Sequence, residues 1–245
     1  MQRLSIVPQI TGAFWIIKIL TTGMGEALAD YFDHAFDPVI VVVVSGLVLA
    51  GVLIAQVRAS KFNAGIYWAA VSMVSVFGTL AADAVHVIFG VPYWESSTVF
   101  FVGLILIFVI WQRVEKTISI TSIVSVRTEL FYWIVVMGTF ALGTAAGDMT
   151  AITFNWGFLP SGLIFTIAFA APLVLYVAGK GKSVLLFWAA HVLTRPLGAS
   201  YADWLALPAN RGGMDWGTLR VSLALIAAIA VFVIANRNSS KALDK

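Results

Sequence analysis

The amino-acid sequence predicts an all-α integral membrane protein, with eight transmembrane helices as four parallel helical-hairpin repeats around a pseudo-fourfold axis. Three observations carry that reading. The 245 residues are 60% hydrophobic and 11% charged, with mean hydropathy +0.95, whereas a soluble domain is about half apolar and about a quarter charged. One motif occurs four times at fixed internal spacing. A second, more uniformly apolar span follows each copy.

Composition also narrows the function classes. The chain has no cysteine, which excludes disulfides and thiolate metal ligands. A net charge of +3 gives no sign of a nucleic-acid partner, and the basic residues read better as topology signals. The start, MQRLSIVPQI, leads into a full-length span rather than a short apolar region with a cleavage site, so no leader is expected to be removed. No HExxH, phosphate loop, dinucleotide fingerprint or nucleophile motif occurs, and no enzyme activity is expected.

The first motif element, FWIIKILTTGMGEALAD (14–30), aligns without a gap with YWAAVSMVSVFGTLAAD (67–83), YWIVVMGTFALGTAAGD (132–148) and FWAAHVLTRPLGASYAD (187–203). Each opens on an aromatic and a tryptophan: Trp15, Trp68, Trp133 and Trp188. Glycine follows ten residues after the tryptophan (Gly25, Gly78, Gly143, Gly198), and aspartate fifteen after it (Asp30, Asp83, Asp148, Asp203). The apolar spans that follow start near Pro38, Ser97, Pro160 and Trp216. Each is long enough to cross about 30 Å of hydrocarbon. The chain reads as one membrane domain, 1–245, with repeats at 5–58, 59–116, 122–180 and 181–237. A polar link, Gln112 to Arg127, separates two halves of two repeats.

Orientation follows from the distribution of positive charge. Arg3, Arg58, Lys61, Arg113, Lys116, Arg127, Lys180, Lys182, Arg237, Lys241 and Lys245 fall on one side. The opposite loops hold Arg211 and the acids Asp33, Asp37, Glu95 and Asp215, with Arg220 just inside the last span. The basic side is predicted to be cytoplasmic, with both termini there and the motif aspartates at the outer ends of the odd-numbered helices.

At 100° per residue, positions 3, 7, 10, 11 and 15 after the tryptophan share a stripe about 140° wide. On the first helix the stripe carries Lys18, Thr22, Gly25, Glu26 and Asp30, and on the seventh His191, Arg195, Gly198 and Asp203. Charge at the bilayer centre costs about 2.5–3.5 kcal/mol or more, so this stripe must face protein or water. The odd helices are therefore expected to form an inner ring and the even ones to be peripheral. The glycines suit close helix packing. The tryptophans read either as interface anchors or packing wedges, or as a gate. The four aspartates read either as loop-capping groups or as a carboxylate ring suited to a divalent cation, with Asp30, Asp83, Asp148 and Asp203 as metal ligands.

The repeats are not identical. Lys18 and His191 share one repeat position, where the middle copies have Val71 and Val136. Glu26 occurs only in copy one and Arg195 only in copy four, one turn deeper. If the ring closes, first and last copies are neighbours and the two can pair, either as a structural ion pair or as a gate or proton relay. Pro196 removes one backbone hydrogen bond beside Arg195, and a kink is expected there. His86 and His34 are candidate metal ligands but fit surface histidines better.

With these motifs, the chain resembles a family of bacterial inner-membrane proteins built from four tandem two-helix repeats, each with a signature tryptophan, of unknown function. The resemblance covers nearly all of residues 5–237. It implies the fold and the membrane location and carries over no catalytic residue or cofactor.

The leading expectation is a small transporter or channel for a cation, foremost a divalent metal ion. Its pathway would be lined by Lys18, Glu26, Asp30, Asp83, Asp148, His191, Arg195 and Asp203, with proton coupling a further option. The only metal expected is the substrate itself. The expected partners are the lipid bilayer and a small ion or solute, with an oligomer left open. Two alternatives stand beside it: a proton-coupled carrier for a small anion held by Lys18, His191 and Arg195, and a membrane enzyme or assembly subunit.

Overall fold

A computed structural model describes residues 7–59, 61–179 and 183–243, the side chains of 183 and 237–243 excepted. Arg3, Lys180, Lys182 and Lys245, and the side chains of Arg237 and Lys241, all used above to orient the chain, lie outside the described residues. Among the described residues there are eight α-helices and no strand: α1 (Gly12–Ala35), α2 (Pro38–Arg58), α3 (Ala64–Val87), α4 (Tyr93–Glu115), α5 (Val126–Asp148), α6 (Phe158–Val177), α7 (Ser183–Ala206) and α8 (Thr218–Leu243).

Helix starts are written locally. Thr11 caps α1 by accepting from the Phe14 amide. Asp37 caps α2, with Pro38 in the first turn, where its missing N–H costs nothing. Asn63 caps α3. Ser125 and Thr128 form a reciprocal box at the start of α5. Lys116, in the left-handed region at φ 61°, ends α4. A π-helical turn, Met149–Thr153, follows α5 directly. Such turns are rare and frequent at functional sites.

Six of these helices are long and apolar enough to cross a membrane: α2, α3, α4, α5 with its π turn, α6 and α8 over Thr218–Asn236. The chain is thus a multi-pass α-helical membrane protein. The helices outside this set, α1 and α7, are 24 residues each. They fall short in composition rather than length, because they carry Lys18, Glu26 and Asp30, and His191, Arg195 and Asp203.

The odd helices pack in a closed circuit: α1 on α3, α3 on α5, α5 on α7, and α7 back on α1. The motif glycine of each copy meets the residue seven after the tryptophan of the next. A Cβ on Gly25 would overlap Ser75, one on Gly78 would crowd Phe140, one on Gly143 would overlap Arg195, and one on Gly198 would overlap Thr22. Equivalent positions meeting at every step mean that the four helices run parallel with the same offset.

The even helices are largely exposed on the outside, as the sequence predicts. Their packing departs from the hairpin expectation. Each scarcely touches the odd helix of its own repeat and lies instead on the next one: α2 on α3, α4 on α5, α6 on α7, and α8 on α1. Small residues make the seat. Gly46 of α2 faces Phe77, and Gly162 of α6 faces Tyr201, whose hydroxyl is 3.0 Å from Thr166 Oγ1. The repeat is a hairpin in connection only, and its outer helix clamps the neighbouring copy.

Candidate functional site

The rise of 1.5 Å per residue sorts the inner stripe into levels, from the aromatic pair to the aspartates about 22 Å away. At the first level the motif aromatics form a closed cycle, in which the residue before each tryptophan contacts the next copy's tryptophan. Ring centroids are 5.7 Å apart for Phe14–Trp68, 5.7 Å for Tyr67–Trp133, 6.2 Å for Tyr132–Trp188 and 5.6 Å for Phe187–Trp15. All eight side chains are buried, so the tryptophans are not lipid-facing anchors. They wedge the helices together and seal the interior. The Tyr67 and Tyr132 hydroxyls are 2.5 Å apart, and Trp188 Nε1 donates to the Ile118 carbonyl at 2.9 Å.

One turn further sit Lys18, Val71, Val136 and His191, all at 1% exposure or less. Lys18 Nζ lies 4.1 Å from the Phe140 ring centroid, a cation–π contact. Among the described residues, neither it nor either His191 ring nitrogen has a hydrogen-bond partner.

The next level belongs to Arg195. Its side chain is fully buried and its Nη2 pairs with the Glu26 carboxylate. The same nitrogen reaches the hydroxyls of Thr79 and, at 2.7 Å, of Thr144. Glu26, Thr79 and Thr144 are the eleventh residues after the tryptophan in copies one, two and three. One guanidinium nitrogen therefore ties the three other inner helices together. Nη1 donates to the Thr22 carbonyl at 3.4 Å, and Thr22 Oγ1 donates to the Thr194 carbonyl at 3.0 Å. Helix α7 continues unbroken through Pro196 to Ala206.

Beyond Arg195 the site turns acidic. Glu26, Asp148 and Asp203 each present a carboxylate oxygen within 4.8 Å of the other two, a grouping that could hold a metal ion. Asp30 and Asp83 are outside this tight group, although the fields of all five carboxylates overlap, and those of Arg195 and of Arg211, in the link between α7 and α8, reach into them. The tight set thus differs from the four equivalent aspartates: Glu26, one turn below Asp30, stands in for it beside Asp148 and Asp203. Asp203 is buried, and Asp148 is half-buried at the point where α5 gives way to the π turn.

The two other histidines are accounted for structurally. His34 Nδ1 donates to the Asp30 carbonyl at 2.7 Å. His86 donates to the Val91 carbonyl at 2.8 Å and stacks on Tyr93 at 3.9 Å.

Helical phase places Thr79 and Thr144 on the stripe of the second and third copies, but nothing in a threonine announces a guanidinium partner. Glu129 is fully buried, accepting from Gln56 Nε2 and from Trp133 Nε1, each at 3.4 Å. It lies four residues before Trp133, on the same stripe by helical phase. Extending the motif one turn upstream would have found it.

The family described as "Repeat of Unknown Function (DUF347)" matches the chain four times, over residues 13–62, 66–117, 131–181 and 186–241. The chain belongs to this repeat family. Each match spans one motif helix and the apolar helix after it, and in this chain the second helix of each match packs on the next copy. No curated protein and no solved structure matches the chain. The function of this DUF347 chain therefore has to be argued from the site.

Proposed function

We propose that this chain is a membrane carrier for a small cation, foremost a divalent metal ion, and not an enzyme. In this reading all eight helices cross a bacterial inner membrane, both termini are cytoplasmic, and the four repeats surround a pseudo-fourfold axis along the membrane normal. Parallel repeats of this kind suit a central path. The closed circuit of odd helices and the cyclic glycine and aromatic contacts support the axis. The basic residues near Arg58 and Arg113 support the orientation.

The observation that carries the reading is the placement of Glu26, Asp148 and Asp203, with oxygens within 4.8 Å of one another, directly above a buried arginine. Hard oxygen ligands suit Mg²⁺, Mn²⁺ or Ca²⁺. Arg195 fills the axis, so the path is gated rather than open. A divalent ion arriving at the carboxylates competes with Arg195 for Glu26, because both cations cannot hold the same oxygens without strong repulsion. Releasing Arg195 from Glu26 removes the one ionic tie between α1 and α7 and loosens the packing across the axis. The aromatic cycle then remains as the second barrier.

Purified protein in liposomes, loaded with a metal-sensitive dye, tests the reading. Uptake of Mn²⁺ or another divalent ion is expected under an ion or proton gradient, and Asp203→Asn or Asp148→Asn should reduce it at least tenfold. Absence of cation-dependent flux under every gradient, or wild-type flux in both variants, would overturn it.

A further inference from the structure

We infer that the level of Lys18 and His191 is a binding site for one small inorganic anion of halide size. Among the described residues, Lys18 Nζ, both His191 ring nitrogens and Arg195 Nε have no hydrogen-bond partner, on residues that are at least 99% buried. The lysine and arginine nitrogens are donors, and an imidazole keeps at least one N–H in either neutral tautomer. Buried donors are ordinarily satisfied, and here three come from one neighbourhood. Lys18 and His191 occupy the same repeat position on packed helices, α1 and α7. Lys18 Nζ and Arg195 Cζ lie 4.1 and 5.5 Å from the same Phe140 ring centroid.

The chemistry of the surroundings selects the ligand. Metal cations are repelled by Lys18 and Arg195. A water molecule accepts only two hydrogen bonds, one short of the three donors, and brings two donors of its own, for which the bare ring nitrogen of a neutral His191 is the unpartnered acceptor. The Lys18 carbonyl already receives Thr21 Oγ1 and the His191 carbonyl receives Thr194 Oγ1, each at 2.7 Å. Val71 and Val136, at the same level on α3 and α5, offer none. A species that only accepts satisfies all three donors.

Charge points the same way. Glu26 is already paired with Arg195, so a protonated Lys18 beside them adds a positive charge that this carboxylate does not balance. Among the described residues neither Lys18 Nζ nor either His191 ring nitrogen has a carboxylate within hydrogen-bond distance. A monovalent anion removes the surplus. Val71 and Val136 at this level and Phe140 beside Lys18 are fully buried, which favours a small ion. This site stands on the donors alone and does not depend on the cation reading.

Detergent-purified protein, melted in chloride or bromide against gluconate at fixed ionic strength, is the first test. A saturable rise in Tm with either halide is expected, but not with the larger sulfate. Lys18→Met should abolish the rise. Crystals soaked in bromide should give one anomalous peak between Lys18 and His191, a measurement that needs no variant and decides the matter if Lys18→Met does not fold. Equal Tm in chloride and gluconate, a rise that persists in Lys18→Met, or density there without anomalous signal would each overturn the inference.

Discussion

The contact between Glu26 and Arg195 makes a sharp prediction about stability. Removing one partner of a buried ion pair costs about 3–5 kcal/mol, because the survivor is left uncompensated. The structure says where each variant falls in that range. Glu26→Gln leaves Arg195 with Thr79, Thr144 and the Thr22 carbonyl, and the new amide oxygen can still accept. Its cost should be about 3 kcal/mol, the low end. Arg195→Met leaves Glu26 beside Asp148 and Asp203 with their tethered cation gone, which places it near 5 kcal/mol, about the high end. Independent effects would sum to about 8 kcal/mol. Contacting residues couple by up to about 3 kcal/mol, so Glu26→Gln/Arg195→Met should lose only about 5 kcal/mol. Reversible unfolding in mixed micelles measures all four proteins. Additive losses would refute the pairing, and so would a Glu26→Gln variant less stable than Arg195→Met.

The cyclic packing can be tested one copy at a time. Gly25→Ala, Gly143→Ala and Gly198→Ala each drive a methyl into a neighbouring helix and should cost about 1–3 kcal/mol by overpacking. Gly51→Ala and Gly103→Ala meet nothing within 4 Å and should leave Tm unchanged or slightly higher. Tyr67→Phe should lose about 1 kcal/mol with the Tyr132 hydrogen bond, and the double change with Tyr132→Phe should lose little more, read by the same unfolding assay. A C-terminal reporter that is active only outside the cytoplasm should stay silent; activity there would reverse the proposed orientation.

Much of the fold was legible because a four-copy motif at constant spacing fixes helical phase. The stripe that carries Lys18, Glu26 and Arg195 had to face inward, and it does. The even helices escaped because hydropathy reports how apolar a helix is, not which neighbour it touches. A two-residue link, Phe36 and Asp37, suggests a hairpin, yet α2 lies on α3 because Gly46 seats Phe77. At the site, Glu26 and Arg195 announced themselves as charges in apolar helices. Thr79 and Thr144 did not, since a hydroxyl in a helix usually bonds its own backbone, as both also do here. The aromatic cycle was visible as FW and YW pairs, but its direction depends on the offset between copies.

The departures from repeat symmetry follow from what the middle of a closed circuit of helices can hold. Side chains that reach it from equivalent positions compete for the same room, so four arginines there would place four cations in one small space. One copy must supply the guanidinium and the other three its acceptors. The eleventh residue after the tryptophan is Glu26, Thr79 and Thr144 in the three accepting copies, and Ala199 in the copy that supplies Arg195. The seventh residue shows the complementary constraint. Thr22 and Ser75 are small, while Phe140 and Arg195 are large and stack against each other, so bulk is confined to one half of the ring. Charge then follows bulk. Two buried basic side chains, Lys18 and Arg195, share the Phe140 ring, and the carboxylate paired with Arg195, Glu26, stands on the side of the motif aspartates. Repetition builds the ring, and the residues that break it give the ring an inside that is basic below Arg195 and acidic above it.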